Sequence, residues 1–78
     1  MAQNSEKQFL FSIGENIRKY RLKNSMSQSQ LAYEISVTLR QIQRMEAGET
    51  NASITSYYRI AQILEIDLNH LLKIQPNK

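Results

Sequence analysis

The 78-residue sequence predicts an all-α fold, a compact five-helix bundle, on three observations. No stretch sustains the apolar–polar alternation of a half-buried strand. Apolar residues recur instead at three- and four-residue intervals, the period of a helix with one buried face. Ser, Thr and Asp residues suited to capping stand just ahead of the successive stripes. Helices this short are marginal in water alone, so packing of their apolar faces must hold them.

The first helix is expected from about Glu6 to Lys23, with Leu10, Ile13, Ile17 and Tyr20 as a core stripe and Leu22 beside them. Gly14 interrupts it at a cost of about 1 kcal/mol relative to alanine, which close helix packing would explain. Ser27 reads as the N-cap of a second helix, about Gln28 to Ile35, with Gln30 completing a capping box and Leu31, Ala32 and Ile35 inward. Thr38 opens a third, about Leu39 to Ala47, whose inward residues are Ile42 and Met45, and Gly48 supplies a left-handed stop. Ser53 caps a fourth, about Ile54 to Leu64, with Tyr57, Ile60, Ala61 and Leu64 inward. Asp67 caps a fifth, about Leu68 to Ile74, ahead of Pro76. Residues 1–8 read as a partly ordered extension, 9–74 as the folded domain and 75–78 as a frayed tail.

Composition narrows the function. With 41% hydrophobic and 22% charged residues the chain is globular rather than disordered. A domain of this size buries only about 60% of the surface of its unfolded chain, so the core must be efficient. The absence of Cys removes disulfides and thiolate metal sites and suits a reducing cytoplasm. Apolar runs such as Ile63-Leu64 and Leu71-Leu72 fall far short of the roughly 20 residues that cross a bilayer. The N-terminus lacks the basic and apolar regions of a secretory signal, so a cytoplasmic protein without a membrane partner is expected. One His, no suggestive carboxylate pair and no Gly-rich phosphate loop argue against an enzyme, a metal site or a cofactor. His70 is expected at the surface of the fifth helix. A net charge of +3 and a pI near 9.5 permit an anionic partner, but the placement of the charge matters more.

The second and third helices, two short elements joined by a tight turn, describe a helix-turn-helix. Across them Leu31, Ala32, Ile35, Val37, Ile42 and Met45 wedge one helix over the next. Ala32 is small because a bulkier side chain there would push them apart, at about 1–3 kcal/mol. With Ile42 and Met45 inward, the 3.6-residue period turns Leu39, Arg40, Gln43 and Arg44 outward.

Met26-Ser27-Gln28-Ser29-Gln30-Leu31-Ala32, Ile42 and Met45-Glu46-Ala47-Gly48 together resemble the Cro, cI and Xre family of bacterial and phage regulators. Ile60-Ala61-Gln62-Ile63-Leu64-Glu65-Ile66 and Leu68-Asn69-His70-Leu71-Leu72 are similar to its fourth and fifth helices, so the resemblance covers about Ile13 to Leu72. It implies a lambda-repressor-like domain that binds double-stranded DNA, commonly as a homodimer on an inverted repeat, as a repressor or autoregulator. Ser36 and Glu65 depart from the family's frequent glycines, at two sites where positive φ would strain a side chain.

On this reading Thr38, Leu39, Arg40, Gln43 and Arg44 are the base-contacting candidates, because the motif presents the start of its second helix to base edges. Arg40 and Arg44 suit guanine, Gln43 adenine and Leu39 a thymine methyl. On an arbitrary helix the two arginines would simply solvate an exposed face, and either is also suited to a phosphate. Gln28 is the phosphate candidate the resemblance implies, with free backbone N–H groups pointing the same way. Gln41, Thr50 and Asn51 flank that surface, and Tyr33 either reaches a phosphate or packs. The resemblance also implies an internal salt bridge between Arg21 and Glu46. Arg18, Lys19 and Lys23 read most simply as a solvated face, with long-range attraction as the alternative.

A competing reading keeps the fold and gives it a small protein partner, as in antitoxins that repress their own operon. Phe9 and Phe11 lie on opposite sides of the first helix, so one of them is left for a dimer or partner surface. Leu68, Leu71, Leu72 and Ile74 either form a symmetric contact or finish the core.

Overall fold

The computed structural model describes residues 2–74, which form α1 (Ala2–Lys23), α2 (Gln28–Glu34), α3 (Leu39–Glu46), α4 (Ile54–Leu64) and α5 (Leu68–Leu72), with no strand among them. The tail expected to fray, residues 75–78, lies outside the described residues. Among the described residues, no helix is long and apolar enough to cross a membrane.

Three helices start on a hydroxyl. Ser27 Oγ accepts from the Gln30 N–H at 3.0 Å while the Gln30 side chain accepts from the Ser27 N–H at 2.9 Å, a complete capping box. Thr38 and Gln41 repeat the arrangement at α3, at 3.1 and 2.8 Å. Ser53 caps α4 through the Ser56 N–H. Asp67 occupies the N-cap position of α5 with extended backbone, but its carboxylate makes no cap bond, contrary to the sequence expectation.

Every element contributes to one core. Ile13 and Ile17 from α1, Leu31 from α2 and Ile35 at its end, Ile42 from α3, Ile60 and Leu64 from α4 and Leu71 from α5 are all buried. Full burial of each such side chain contributes about 1.5–3 kcal/mol, which holds together helices that do not stand alone. Ala32 is buried where α2 meets that core.

The first helix ends at Lys23 as expected but departs from expectation at its start and at Leu22. It starts at Ala2 rather than near Glu6, because Ala2, Gln3, Glu6 and Lys7 favour helix without contributing to an apolar stripe. Leu22 is 55% exposed, not part of the core face. It lies five positions beyond Ile17 and so about 140° round the helix.

Gly14 has a tertiary reason. A Cβ there would stand 2.7 Å from the Met45 carbonyl oxygen and closer still to that of Glu46. The backbone of α1 therefore lies directly on the end of α3. Gly48 combines φ of +73° with a similar approach, its would-be Cβ 2.9 Å from Phe11 Cα. Ser25, Ser36 and Glu65 also hold positive φ, at 54°, 59° and 60°, without glycine's freedom.

The fifth helix ends at Leu72 instead of Ile74, with Lys73 extended. Asn16, buried in α1, explains the early stop: its Nδ2 donates to the carbonyls of Leu71 and Lys73, each at 2.8 Å. These bonds satisfy carbonyls that the helix end leaves open.

Candidate nucleic-acid interface

The surface of interest is built on α3. Ile42 and Met45 are buried, so the helix is fixed about its axis, and Leu39, Arg40, Gln43 and Arg44 lie exposed on its outer side. Neither Arg40 nor Arg44 forms a side-chain hydrogen bond or ion pair among the described residues. Both guanidiniums thus present five donors each to solvent.

The far end of α3 is tied down by charge. Arg21 Nε donates to Glu46 Oε2 at 2.6 Å and Nη2 to Oε1 at 3.0 Å, a two-pronged pair between α1 and α3 with little solvent access. Arg21 Nη1 also donates to the Met26 carbonyl at 2.8 Å, which adds the α1–α2 turn. Gln28 Nε2 donates to Glu46 Oε1 at 3.0 Å. One carboxylate therefore gathers α1, the start of α2 and the end of α3. Such a pair loses several kcal/mol when one partner is removed, because the other charge stays buried alone.

The remaining sequence candidates differ in how they are engaged. The Thr38 hydroxyl accepts the Gln41 backbone N–H, and the Gln41 side-chain oxygen accepts from Thr38, so both are used by the cap, which leaves the side-chain N–H groups of the exposed Gln41 outside it. Gln28 shares its amide with Glu46. Tyr33 is 84% exposed, so it does not pack. Thr50 is half-buried and Asn51 exposed in the loop between α3 and α4. Lys19 and Lys23 lie over the Tyr20 ring at 5.3 and 5.5 Å, and His70 is tilted against the same ring.

Several supports had no reading in the sequence. Arg59 of α4 donates Nη2 to the Ile35 carbonyl at 2.7 Å, closing the end of α2 just before the turn. Asn24 Nδ2 donates to the Tyr20 and Leu64 carbonyls. Their targets are backbone atoms, which leave no mark on side-chain periodicity. The Tyr57 hydroxyl accepts the Ala52 N–H at 3.2 Å and ties the α3–α4 loop to α4. Burial raises the Tyr57 phenol above its ordinary 10.0, opposed by that backbone hydrogen bond.

A family model described as helix-turn-helix matches residues 17–71. No curated protein matches significantly. Among solved structures, the restriction-modification controller protein C.AhdI from Aeromonas hydrophila is 26% identical, with a TM-score of 0.76 over 80% of this chain and 94% of that one. A SinR/SinI protein complex contains a chain 29% identical, with a TM-score of 0.73 over 78% of this chain and 60% of that one. A hypothetical transcription factor from Neisseria shares the fold at 20% identity, with a TM-score of 0.82 over 88% of this chain and 79% of that one.

Proposed function

The chain belongs to the helix-turn-helix family of transcription regulators, and from that premise we propose that it binds double-stranded DNA sequence-specifically as a homodimeric regulator, a repressor or autoregulator. The observation that carries this reading is the division of α3: Ile42 and Met45 are buried, while Leu39, Arg40, Gln43 and Arg44 face solvent. A helix held about its axis by two core residues presents the other side as a rigid reading edge. Arg40, Arg44 and Gln43 take base edges in the major groove, and Leu39 takes a thymine methyl. Thr38 stands at the groove end of the helix.

Gln28, Gln41, Thr50, Asn51 and Tyr33 supply phosphate contacts, which orient the domain without carrying sequence information. Residues 9–74 form the binding domain. In the homodimer, two copies of α3 enter successive major grooves about 34–36 Å apart on an inverted repeat. Phe11, 54% exposed, and Ile74, also exposed, are apolar surface left for the second copy. The likeness to a restriction-modification controller supports a regulatory role.

Selection of bound sites from random duplex DNA, followed by footprinting, tests the reading. It should yield two inverted half-sites one helical turn apart. Binding that does not weaken as salt rises would sink the DNA assignment, because phosphate contacts release counterions. Sedimentation that finds only monomer at high concentration, with and without the selected site, would remove the dimer.

A further inference from the structure

An open cleft of about 440 Å³ separates α1 from the start of α2 and from α3, lined by Glu15, Arg18, Arg21, Gln28, Gln43 and Glu46. Its two arginines stand in different states. Arg21 spends Nε and Nη2 on Glu46 and Nη1 on the Met26 carbonyl. Arg18 is exposed and makes no side-chain hydrogen bond or ion pair among the described residues, not even with Glu15 three residues earlier.

Position directs Arg18 toward the same partner as its neighbours. It follows Gly14 by four residues and precedes Arg21 by three, so the three share one side of α1. Gly14 touches the backbone of α3 and Arg21 binds Glu46 of α3. Two other residues of the cleft, Gln28 and Gln43, are those assigned above to a phosphate and a base. A duplex that meets both lies across the mouth of the cleft that Arg18 also lines.

We propose that Arg18 is a DNA phosphate ligand reaching the backbone from α1, an inference that rests on the DNA-binding reading. The planar fork of an arginine matches a phosphodiester, and this one sacrifices no existing bond to take it. Glu15 shares the cleft and opposes the approach of the same phosphate.

The test compares Arg18→Ala with Lys19→Ala, which removes the same charge about 100° round the helix. Binding of each full-length variant to the selected duplex and to random DNA is measured across a salt series. Arg18→Ala should weaken binding to both duplexes about equally and lower the slope of log K against log salt by about 0.9 per protomer. Between about 50 and 200 mM salt, that amounts to about a 3.5-fold smaller loss of affinity per protomer. Lys19→Ala should leave the slope near that of the parent, and Glu15→Gln should bind more tightly. A slope unchanged by Arg18→Ala, or changed equally by Lys19→Ala, overturns the proposal while the DNA-binding reading stands. Parent protein with no salt-dependent binding removes both. Thermal unfolding of each variant separates a lost contact from a lost fold.

Discussion

Gly14 and Glu46 meet backbone to backbone: a Cβ on Gly14 would be driven into the Glu46 carbonyl oxygen, with that of Met45 only 2.7 Å away. The two effects of Gly14→Ala oppose each other. Alanine favours the helix by about 1 kcal/mol, while forcing side-chain volume into a filled contact costs about 1–3 kcal/mol. The obstructing atoms are backbone and cannot swing aside, so the steric cost should win. A net loss of up to about 2 kcal/mol is expected, and each 1 kcal/mol of it lowers the melting midpoint by about 4–8 °C. A higher midpoint would mean that α1 and α3 separate freely.

Ser36 and Glu65 should respond in the opposite direction. Each holds a left-handed backbone, at φ of 59° and 60°, where a Cβ costs about 1–2 kcal/mol that glycine escapes. Glycine's greater freedom in the unfolded chain returns part of this. Ser36→Gly and Glu65→Gly should each stabilise by about 0.5–1 kcal/mol in denaturant titrations. Gly48→Ala should destabilise, since its φ of +73° is combined with a 2.9 Å approach to Phe11 Cα.

Tyr57 gives a pH test. Its phenol is raised above 10.0 by burial, so in alkali the unfolded chain loses this proton before the folded one does. The stability tied to the neutral phenol is therefore complete below pH 10 and is lost as pH climbs from there through the raised value. Tyr57→Phe cannot ionise, but it leaves the Ala52 N–H without its acceptor, at about 1 kcal/mol. Denaturation at pH 8 should show Tyr57→Phe the weaker protein, with the gap to the parent closing above pH 10. A gap that stays constant would contradict the assignment.

Arg44 and Gln28 separate reading from holding. Arg44→Ala should flatten preference at one base position, by about 1–3 kcal/mol of discrimination. Gln28→Ala should weaken binding to every sequence about equally, with a further loss of stability because Glu46 gives up a hydrogen bond. Competition binding on operator variants distinguishes the two patterns. Equal, sequence-independent losses from both changes would show the sorting of base and phosphate contacts to be wrong.

What could be read in the sequence was local. Ser27 with Gln30, Thr38 and Ser53 announce helix starts because a cap and its partner lie within one turn. The inward sets of α2, α3 and α4 follow from period alone. Leu22 is close to Tyr20 in sequence, but angle round the helix decides burial, and it lies about 140° from Ile17 and is exposed. Asn16, Asn24 and Arg59 were illegible for another reason. Each bonds a carbonyl 24 or more residues away, and a backbone acceptor has no residue type to search for. On α3 the outward set was legible, and so was the Thr38 cap, but the bond from the Gln28 side chain to Glu46 was not, because it depends on where α2 and α3 meet.

The capping boxes at Ser27–Gln30 and Thr38–Gln41 both close with glutamine, and neither α2 nor α3 has an acidic residue in its first turn. A glutamate at either position would close the box equally well and complement the helix dipole, adding about 0.3–1 kcal/mol. Both helix starts forgo that gain and stay neutral. Neither first turn carries a carboxylate of its own; at α2 the Glu46 carboxylate, already paired with Arg21, accepts from Gln28, whereas a polyanion approaching α3 meets a positive dipole end capped only by neutral groups.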